Sequence, residues 1–281
     1  MSTQKVSGGR INIVEVRQEN VHKVYRHGGV VKGLGLSAQQ RYKNEVTALS
    51  IYEGGGFAPL HVPKIISTDE HALTLIMERI PAESMETTVR RNILFLTRER
   101  AIKLAHTLRQ IHAYRTSTDP QLYTAYLSSF SGFVHNASAI LQEANIDPRQ
   151  LTAWMRQSLS GLQLHQEVTS IHGDFWFENI LANDSNFHVI DWEFYATGSP
   201  YQDLGAFYTN THEHFPESRN FCDAFFTAYA TRIDMNLVQA FSIYRCLWIL
   251  SHIELKDYEQ ESVERPHSFK ELIHIVSKHI S

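Results

Sequence analysis

The fold of this chain is decided by residues 171–191, which read IHGDFWFENILANDSNFHVID. The apolar run that leads into them, residues 168–171, predicts a buried strand that ends at a loop. Two further apolar runs, residues 180–181 and 187–190, flank the turn-rich segment ANDSN at 182–186. This pattern predicts a β-hairpin directly after the loop.

The predicted hairpin collects polar side chains at its open end. Asn179 stands just before the first strand, Asp191 just after the second, and Asp174 lies on the loop beside them. Mg²⁺ prefers such carboxylate and amide oxygens and takes its other ligands from water and phosphates. A further carboxylate can orient an attacking hydroxyl and accept its proton. Each residue alone is typical of a turn or a cap, but the three together predict a magnesium and phosphate site.

Two motifs in this region carry a family resemblance. The pattern H-x-D-x-x-x-x-N at 172–179, followed by IDWE at 190–193, resembles the aminoglycoside phosphotransferase and choline kinase family, whose members are relatives of the protein kinases. The resemblance implies that Asp174 faces the substrate hydroxyl and that Asn179 and Asp191 hold Mg²⁺.

A third motif lies downstream, where GSPYQDL at 198–204 resembles the G-x-P-x-x-D-L of the same family. Its aspartate, Asp203, is expected to open a helix and to brace the catalytic loop through backbone hydrogen bonds. His172 is likewise expected to brace the loop rather than to shuttle protons.

The first residues of the chain predict a different kind of structure. Three short strands at 11–16, 21–25 and 30–32, separated by turns, predict an antiparallel meander. Ser37 can cap a helix that runs to about Tyr52.

On this helix Glu45 borders the inward face and is expected to need a cation. The family resemblance assigns that cation to Lys32, which would contact the nucleotide phosphates while Glu45 orients it. Lys23, one strand earlier, is the alternative lysine.

The connection between the two halves of the chain is predicted near Pro81. An apolar strand at 73–77 precedes it, and the resemblance makes Met77, Glu78 and Ile80 part of a hinge whose backbone would bind the adenine edge. The loop expected over the phosphates, residues 17–21, contains no glycine and so departs from the kinase-like pattern.

Beyond Pro81 the apolar residues follow a helical period over residues 97–114, and residues 123–143 also predict a helix. The expected fold is therefore α+β and resembles the bilobal protein kinase-like fold. It comprises a small antiparallel β-rich nucleotide-binding lobe with one helix (residues 1–80) and a larger, mainly helical catalytic and substrate-binding lobe (residues 81–281).

Composition narrows the classes of function. The chain has 281 residues, of which 43% are hydrophobic, and a net charge of -4 without a basic run, so nucleic acid is not the expected partner. No apolar run is long enough to span a bilayer, and the first ten residues lack the apolar core of a signal peptide. With two cysteines and no disulfide framework, a cytoplasmic protein is expected.

These features predict a kinase that uses ATP, or GTP, together with Mg²⁺ and phosphorylates a small hydroxylated molecule. An aminoglycoside-like compound, an amino alcohol such as choline, and a sugar are the candidate acceptors, with Trp176, Glu193 and Tyr195 as candidate substrate contacts. The alternative is a catalytically silent nucleotide-binding module that acts through partners. A protein kinase is disfavoured because Trp192-Glu193 follows Asp191 where those enzymes carry Phe-Gly.

Overall fold

The computed structural model describes residues 12–26, 36–54, 60–183, 186–253 and 269–278. Its strands are β1 (Ile13–Val16), β2 (Asn20–Val24), β3 (Ile65–Asp69), β4 (Thr74–Glu78), β5 (Glu83–Ser84), β6 (Thr116–Thr118), β7 (Glu167–Ile171), β8 (Ile180–Ala182), β9 (Phe187–Val189) and β10 (Ala196–Gly198). Its helices are α1 (Ala38–Gly54), α2 (Met85–Arg91), α3 (Arg98–Ala113), α4 (Leu122–Asn136), α5 (Ser138–Glu143), α6 (Pro148–Ser158), α7 (Tyr201–Tyr208), α8 (Arg219–Tyr229), α9 (Met235–Leu250) and α10 (Phe269–Lys278).

The N-terminal lobe is an antiparallel sheet with α1 packed against it. Within the described ranges this sheet has four strands in the order β1-β2-β4-β3. Strand β4 alternates between buried and half-buried residues, with Leu75 and Met77 pointing inward, as expected for a strand with one face on a core. The predicted first two strands are present, whereas the third, at 30–32, lies outside the described residues.

Helix α1 begins and ends close to its predicted bounds. The hydroxyl of Ser37 accepts a hydrogen bond from the backbone N of Gln40 at 3.1 Å, which satisfies one of the free N–H groups at the helix start. Tyr42, Leu49 and Tyr52 are buried and belong to a hydrophobic cluster that continues into the C-terminal lobe. The helix therefore ties the sheet to the rest of the molecule.

The C-terminal lobe is mainly helical and is built on two helix pairs, α3 with α8 and α7 with α9. A second hydrophobic cluster fills the space between α4, α6, α9 and α10. The single helix that the sequence predicts over residues 123–143 is divided into α4 and α5 at Ala137, whose φ of -84° and ψ of 3° break the helix. In the described ranges every helix is too short or too polar to cross a lipid bilayer.

The predicted hairpin is the pair β8 and β9, which align antiparallel with Ile180 opposite Val189. The strand that leads into the loop, β7, lies between β6 and β10 in a separate small sheet. The loop at 172–179 and the open end of the hairpin consequently face the sheet of the N-terminal lobe across a cleft.

Candidate active site

The cleft between the two lobes has a volume of about 700 Å³. Apolar side chains of β1 and β2, namely Val14, Val16 and Val21, line it on the side of the small lobe. Polar side chains of the loop and of the hairpin line the opposite side. A cavity with mostly apolar walls and a few convergent polar groups is typical of a ligand site.

The hairpin brings together the three residues singled out by the sequence. The backbone N of Ile190 donates to the O of Asn179 at 3.0 Å, which places Asn179 beside the end of the second strand. Asn179 Nδ2 donates to the backbone O of Asp174 at 2.9 Å and to its carboxylate Oδ2 at 3.1 Å. Asp191 follows in the left-handed region, with φ 63° and ψ 60°, and its side chain is 38% exposed to the cleft.

Asp203 holds the loop from below, in the way the sequence predicts. It lies in the first turn of α7, and its two carboxylate oxygens accept hydrogen bonds of 2.8 Å from the backbone N atoms of His172 and Gly173. His112 Nε2 donates to the same carboxylate at 3.0 Å. Burial raises the pKa of Asp203, but its hydrogen bond to His112 and the nearby imidazoles lower that pKa more, so the carboxylate remains ionised.

His172 connects the loop with the hairpin. Its Nε2 donates to the backbone O of Ile190 at 3.0 Å, and its Nδ1 accepts from the backbone N of Asp174 at 3.2 Å. Both ring nitrogens are therefore occupied by backbone groups, which fits the expected bracing role.

Lys23 contacts two of the acidic groups. Its Nζ lies 2.6 Å from Glu45 Oε2 and 2.5 Å from Asp191 Oδ1, and its side chain is 5% exposed. Burial lowers the pKa of Lys23, but the neighbouring carboxylates Asp191 and Glu45 outweigh it and raise that pKa well above its ordinary value. Burial likewise raises the pKa of Asp191, and the ammonium of Lys23 reverses this, so that Asp191 titrates below its usual range.

The structure gives Glu45 a lysine partner. Lys32, the predicted partner, lies outside the described residues. Within the described ranges the lysine that contacts Glu45 is Lys23 on β2, the alternative lysine. The physical reason is that β2 is a central strand of the sheet and directs Lys23 towards both α1 and the hairpin.

Glu193, a candidate substrate contact, lies between the lobes and lines the cleft, but its carboxylate is engaged by protein groups. Asn12 Nδ2 donates to its Oε2 at 2.5 Å, and Arg41 Nη1 lies 3.1 Å from the same oxygen. Burial and the charge of Asp191 raise the pKa of Glu193 to about 7. The residue thus joins the start of the sheet and α1 to the hairpin.

The carboxylate of Asp174 also has a protein partner. Arg245 on α9 donates from Nη2 to Asp174 Oδ1. Burial raises the pKa of Asp174, and the Arg245 guanidinium opposes that shift without cancelling it. A carboxylate whose proton affinity is raised in this way is suited to accept a proton.

The remaining predicted residues divide between the cleft and the core. Met77, Glu78 and Ile80 line the cleft where the chain leaves the sheet, and Trp176 lines it on the side of the large lobe. Tyr195 is not part of the cleft lining; its ring packs against Tyr52 and Trp192, and its hydroxyl lies 3.3 Å from Ser170 Oγ.

The donor set fits Mg²⁺. Asp191 presents a partly exposed carboxylate to the cleft, and Asn179 donates through Nδ2, which leaves its amide oxygen as the atom able to bind a cation. Among the described residues no group of three or more His, Cys, Asp or Glu side chains could hold a metal. Two oxygen ligands would suffice where water and phosphate oxygens supply the others.

Sequence reasoning missed Arg245 and Trp248 in the cleft lining and the role of Arg41 and Asn12. A signal for Arg245 was present. It is a cation inside the apolar run 243–250, three positions before Trp248 and thus on the same face of a helix. The partner of such a cation, 71 positions away in the chain, could not be read from local pattern.

The chain is similar to known proteins in sequence and in fold. The sequence model of the phosphotransferase enzyme family (APH) matches residues 3–241. No curated protein sequence matches the chain. Solved structures do match over the whole chain at low sequence identity.

Three of these structures are representative. The complex of gentamicin with APH(2")-IIa is 14% identical, with a TM-score of 0.65, and the match covers 99% of this chain and 90% of that one. Choline kinase LicA from Streptococcus pneumoniae is 15% identical, with a TM-score of 0.61 and coverages of 100% and 93%. Spectinomycin phosphotransferase APH(9)-Ia in complex with ADP and spectinomycin is 13% identical, with a TM-score of 0.60 and coverages of 99% and 92%. These similarities confirm the expected α+β, bilobal protein kinase-like fold.

Proposed function

The chain belongs to the phosphotransferase enzyme family, and we propose that it transfers the γ-phosphate of ATP, with Mg²⁺, to a hydroxyl group of a small molecule. The predicted family is thereby confirmed, and with it the class of enzyme, a small-molecule kinase. The nucleotide, the metal and the acceptor belong to the proposal.

The observation that carries the proposal is the convergence at the hairpin mouth. Asp174, Asn179 and Asp191 line one cleft, and Lys23 faces them from the other lobe. Phosphoryl transfer depends mainly on positioning and on neutralising charge, and this arrangement offers both. A protein that only binds a nucleotide has no need for a loop carboxylate beside two candidate metal ligands.

In the proposed reaction Asp174 orients the acceptor. The hydroxyl oxygen forms a bond to the γ-phosphorus while the bond from that phosphorus to the leaving oxygen of ADP breaks. Asp174 takes the hydroxyl proton, and the hydrogen bond from Asn179 together with the bracing of the loop by Asp203 keeps its carboxylate in place.

Groups from both lobes would neutralise the negative charge of the phosphates. Lys23, oriented by Glu45, would donate to the phosphate oxygens. Asn179 and Asp191 would hold Mg²⁺, which when bound neutralises charge on the phosphates. Asp191 contacts Lys23 in this structure, so the same carboxylate would serve both the metal and the lysine that meets the phosphates.

The adenine is proposed to lie beside Met77, Glu78 and Ile80, between the valines of the sheet and Leu181 of the hairpin. GTP is the alternative nucleotide. The acceptor would lie deeper in the large lobe, near Asp174 and Trp176. Aminoglycosides, amino alcohols and sugars are the acceptor classes that the family resemblance suggests.

The test is release of ADP from Mg-ATP by the purified protein with a panel of cationic, neutral and anionic alcohols, including aminoglycosides, choline, ethanolamine and sugars. Acceptor-dependent ADP release is expected, together with its loss in Asp174→Ala. Tight binding of Mg-ATP without turnover of any acceptor would instead support the catalytically silent nucleotide-binding module.

A further inference from the structure

A guanidinium group lies in the part of the cleft near Asp174 and Trp176, where the acceptor is proposed to bind. Arg245 on α9 lines the cavity, and its side chain is 10% exposed. Its Nη2 donates to Asp174 Oδ1, the carboxylate proposed to receive the hydroxyl proton. The position matters because an acceptor that reaches Asp174 must also meet Arg245.

Two tryptophans enclose this guanidinium. Its central carbon lies 5.1 Å from the centroid of the Trp176 ring and 4.3 Å from that of Trp248. Aromatic faces with a carboxylate are the groups that bind organic cations, including ammonium groups of ligands. In this cleft the chain's own arginine already occupies that cation site.

Arg245 also retains unused donors. Its Nε and Nη1 are buried, and neither has a hydrogen-bond partner among the residues that the structure describes. An arginine carries five N–H donors, and buried donors without acceptors are unfavourable. An oxyanion that enters the cleft would supply the missing acceptor and would form a charge-assisted hydrogen bond.

We propose that Arg245 selects an acceptor that carries an oxyanion, so that the substrate is a hydroxy acid or a similar anionic alcohol. This inference rests on the proposed phosphotransferase function and specifies its substrate class. The oxyanion would accept from the guanidinium between the two tryptophans, and the hydroxyl would lie at Asp174. An ammonium group at the same place would meet the positive charge of Arg245 at short range.

The test compares acceptors that share a carbon skeleton and differ in charge. The first set is glycerate, glycerol and serinol, and the second is gluconate, glucose and glucosamine. Glycerol phosphate is added to test whether a phosphate can replace the carboxylate. The anionic member of each set is expected to have a kcat/KM at least about tenfold above the neutral member, as one charge-assisted hydrogen bond allows. A preference for the neutral or cationic members would overturn the inference.

Substitution of the arginine separates its role in selectivity from general damage. In Arg245→Met the ratio of kcat/KM for the anionic and neutral members is expected to fall about tenfold, with partial recovery in Arg245→Lys. Arg156→Met, the same change at an exposed position of α6, should leave the ratio unchanged. An unchanged ratio in Arg245→Met would also overturn the inference.

A direct binding measurement covers the case in which no member of the panel is turned over. The ¹⁵N resonance of Arg245 Nε, assigned by its loss in Arg245→Met, is followed while gluconate, acetate or inorganic phosphate is added. A saturable shift supports the inference, and its absence with all three contradicts it. Failure of the proposed function differs from both results, since no acceptor of any charge would then release ADP.

Discussion

The Nζ atom of Lys23 lies 2.5 Å from Oδ1 of Asp191, although the two residues are 168 positions apart in the chain. This contact joins a central strand of the small lobe to the end of the hairpin in the large one. Both side chains line the cleft. The relative position of the two lobes therefore enters directly into the chemistry of the site.

Lys23→Met should reduce kcat/KM for ATP about 100-fold, because a preorganised cationic donor to the phosphates is removed. Lys32→Met is expected to retain activity, since Glu45 is already paired with Lys23. Steady-state kinetics with varied ATP measures both. Lys43→Met, at an exposed lysine paired with Glu70, is the control. If Lys32→Met loses activity while Lys23→Met retains it, Lys32 rather than Lys23 is the lysine that contacts the nucleotide phosphates.

Asp174→Asn should lower kcat about 10²- to 10⁴-fold, because the amide cannot accept the hydroxyl proton. Binding of Mg-ATP, measured by calorimetry, should change little, since the nucleotide is proposed to contact other residues. Thermal unfolding confirms that the variant is folded. Undiminished turnover in folded Asp174→Asn would show that this carboxylate is not the proton acceptor.

Asn179→Ala should raise the Mg²⁺ concentration needed for half-maximal activity at least about tenfold, because one of two proposed protein ligands is lost. Activity should disappear when EDTA removes the metal and return when Mg²⁺ is restored. A titration of activity against free Mg²⁺ at saturating ATP provides the measurement. A variant that needs no additional metal would exclude Asn179 as a ligand.

Asp203→Asn should destabilise the protein by about 2–4 kcal/mol at neutral pH, because a buried carboxylate with three hydrogen-bond donors loses its charge. The folded-state pKa of Asp203 is below the unfolded value of about 3.9. Its stabilisation is thus present above the unfolded pKa and is lost as the pH falls through the folded-state pKa. Urea unfolding should show that the difference in unfolding free energy between the two proteins narrows below about pH 4. A difference that stays constant with pH would contradict an ionised Asp203.

Gly173→Ala should destabilise the protein by about 2–4 kcal/mol and disturb the catalytic loop. The residue has φ 83°, and an added Cβ would lie 2.3 Å from the backbone O of Phe194. Gly132→Ala is the matched control, because a Cβ at that position of α4 meets nothing within 4 Å. The control should gain about 0.5–1 kcal/mol from the better helix propensity of alanine. Urea unfolding of both variants measures the contrast.

The local elements of the site could be predicted from the sequence for a physical reason. Strand alternation, turn residues and capping act between neighbours in the chain, and they specify the hairpin at 180–189 and the start of α1 at Ser37. The bracing of the loop by Asp203 was likewise predicted from its motif. The division of 123–143 into α4 and α5 escaped prediction because no proline or glycine marks it.

The sequence by itself indicated the family and the fold class, through the resemblance of its short motifs. It also placed Asp174, Asn179 and Asp191 at the open end of one predicted hairpin, because short-range pattern and spacing specify that hairpin. Tertiary structure decided that Lys23 pairs with Glu45 and that Arg245 reaches Asp174. Contacts of this kind depend on how the sheet, α1 and α9 pack against the hairpin. That packing minimises exposed apolar area and unpaired buried charge over the whole chain, and no local stretch encodes it.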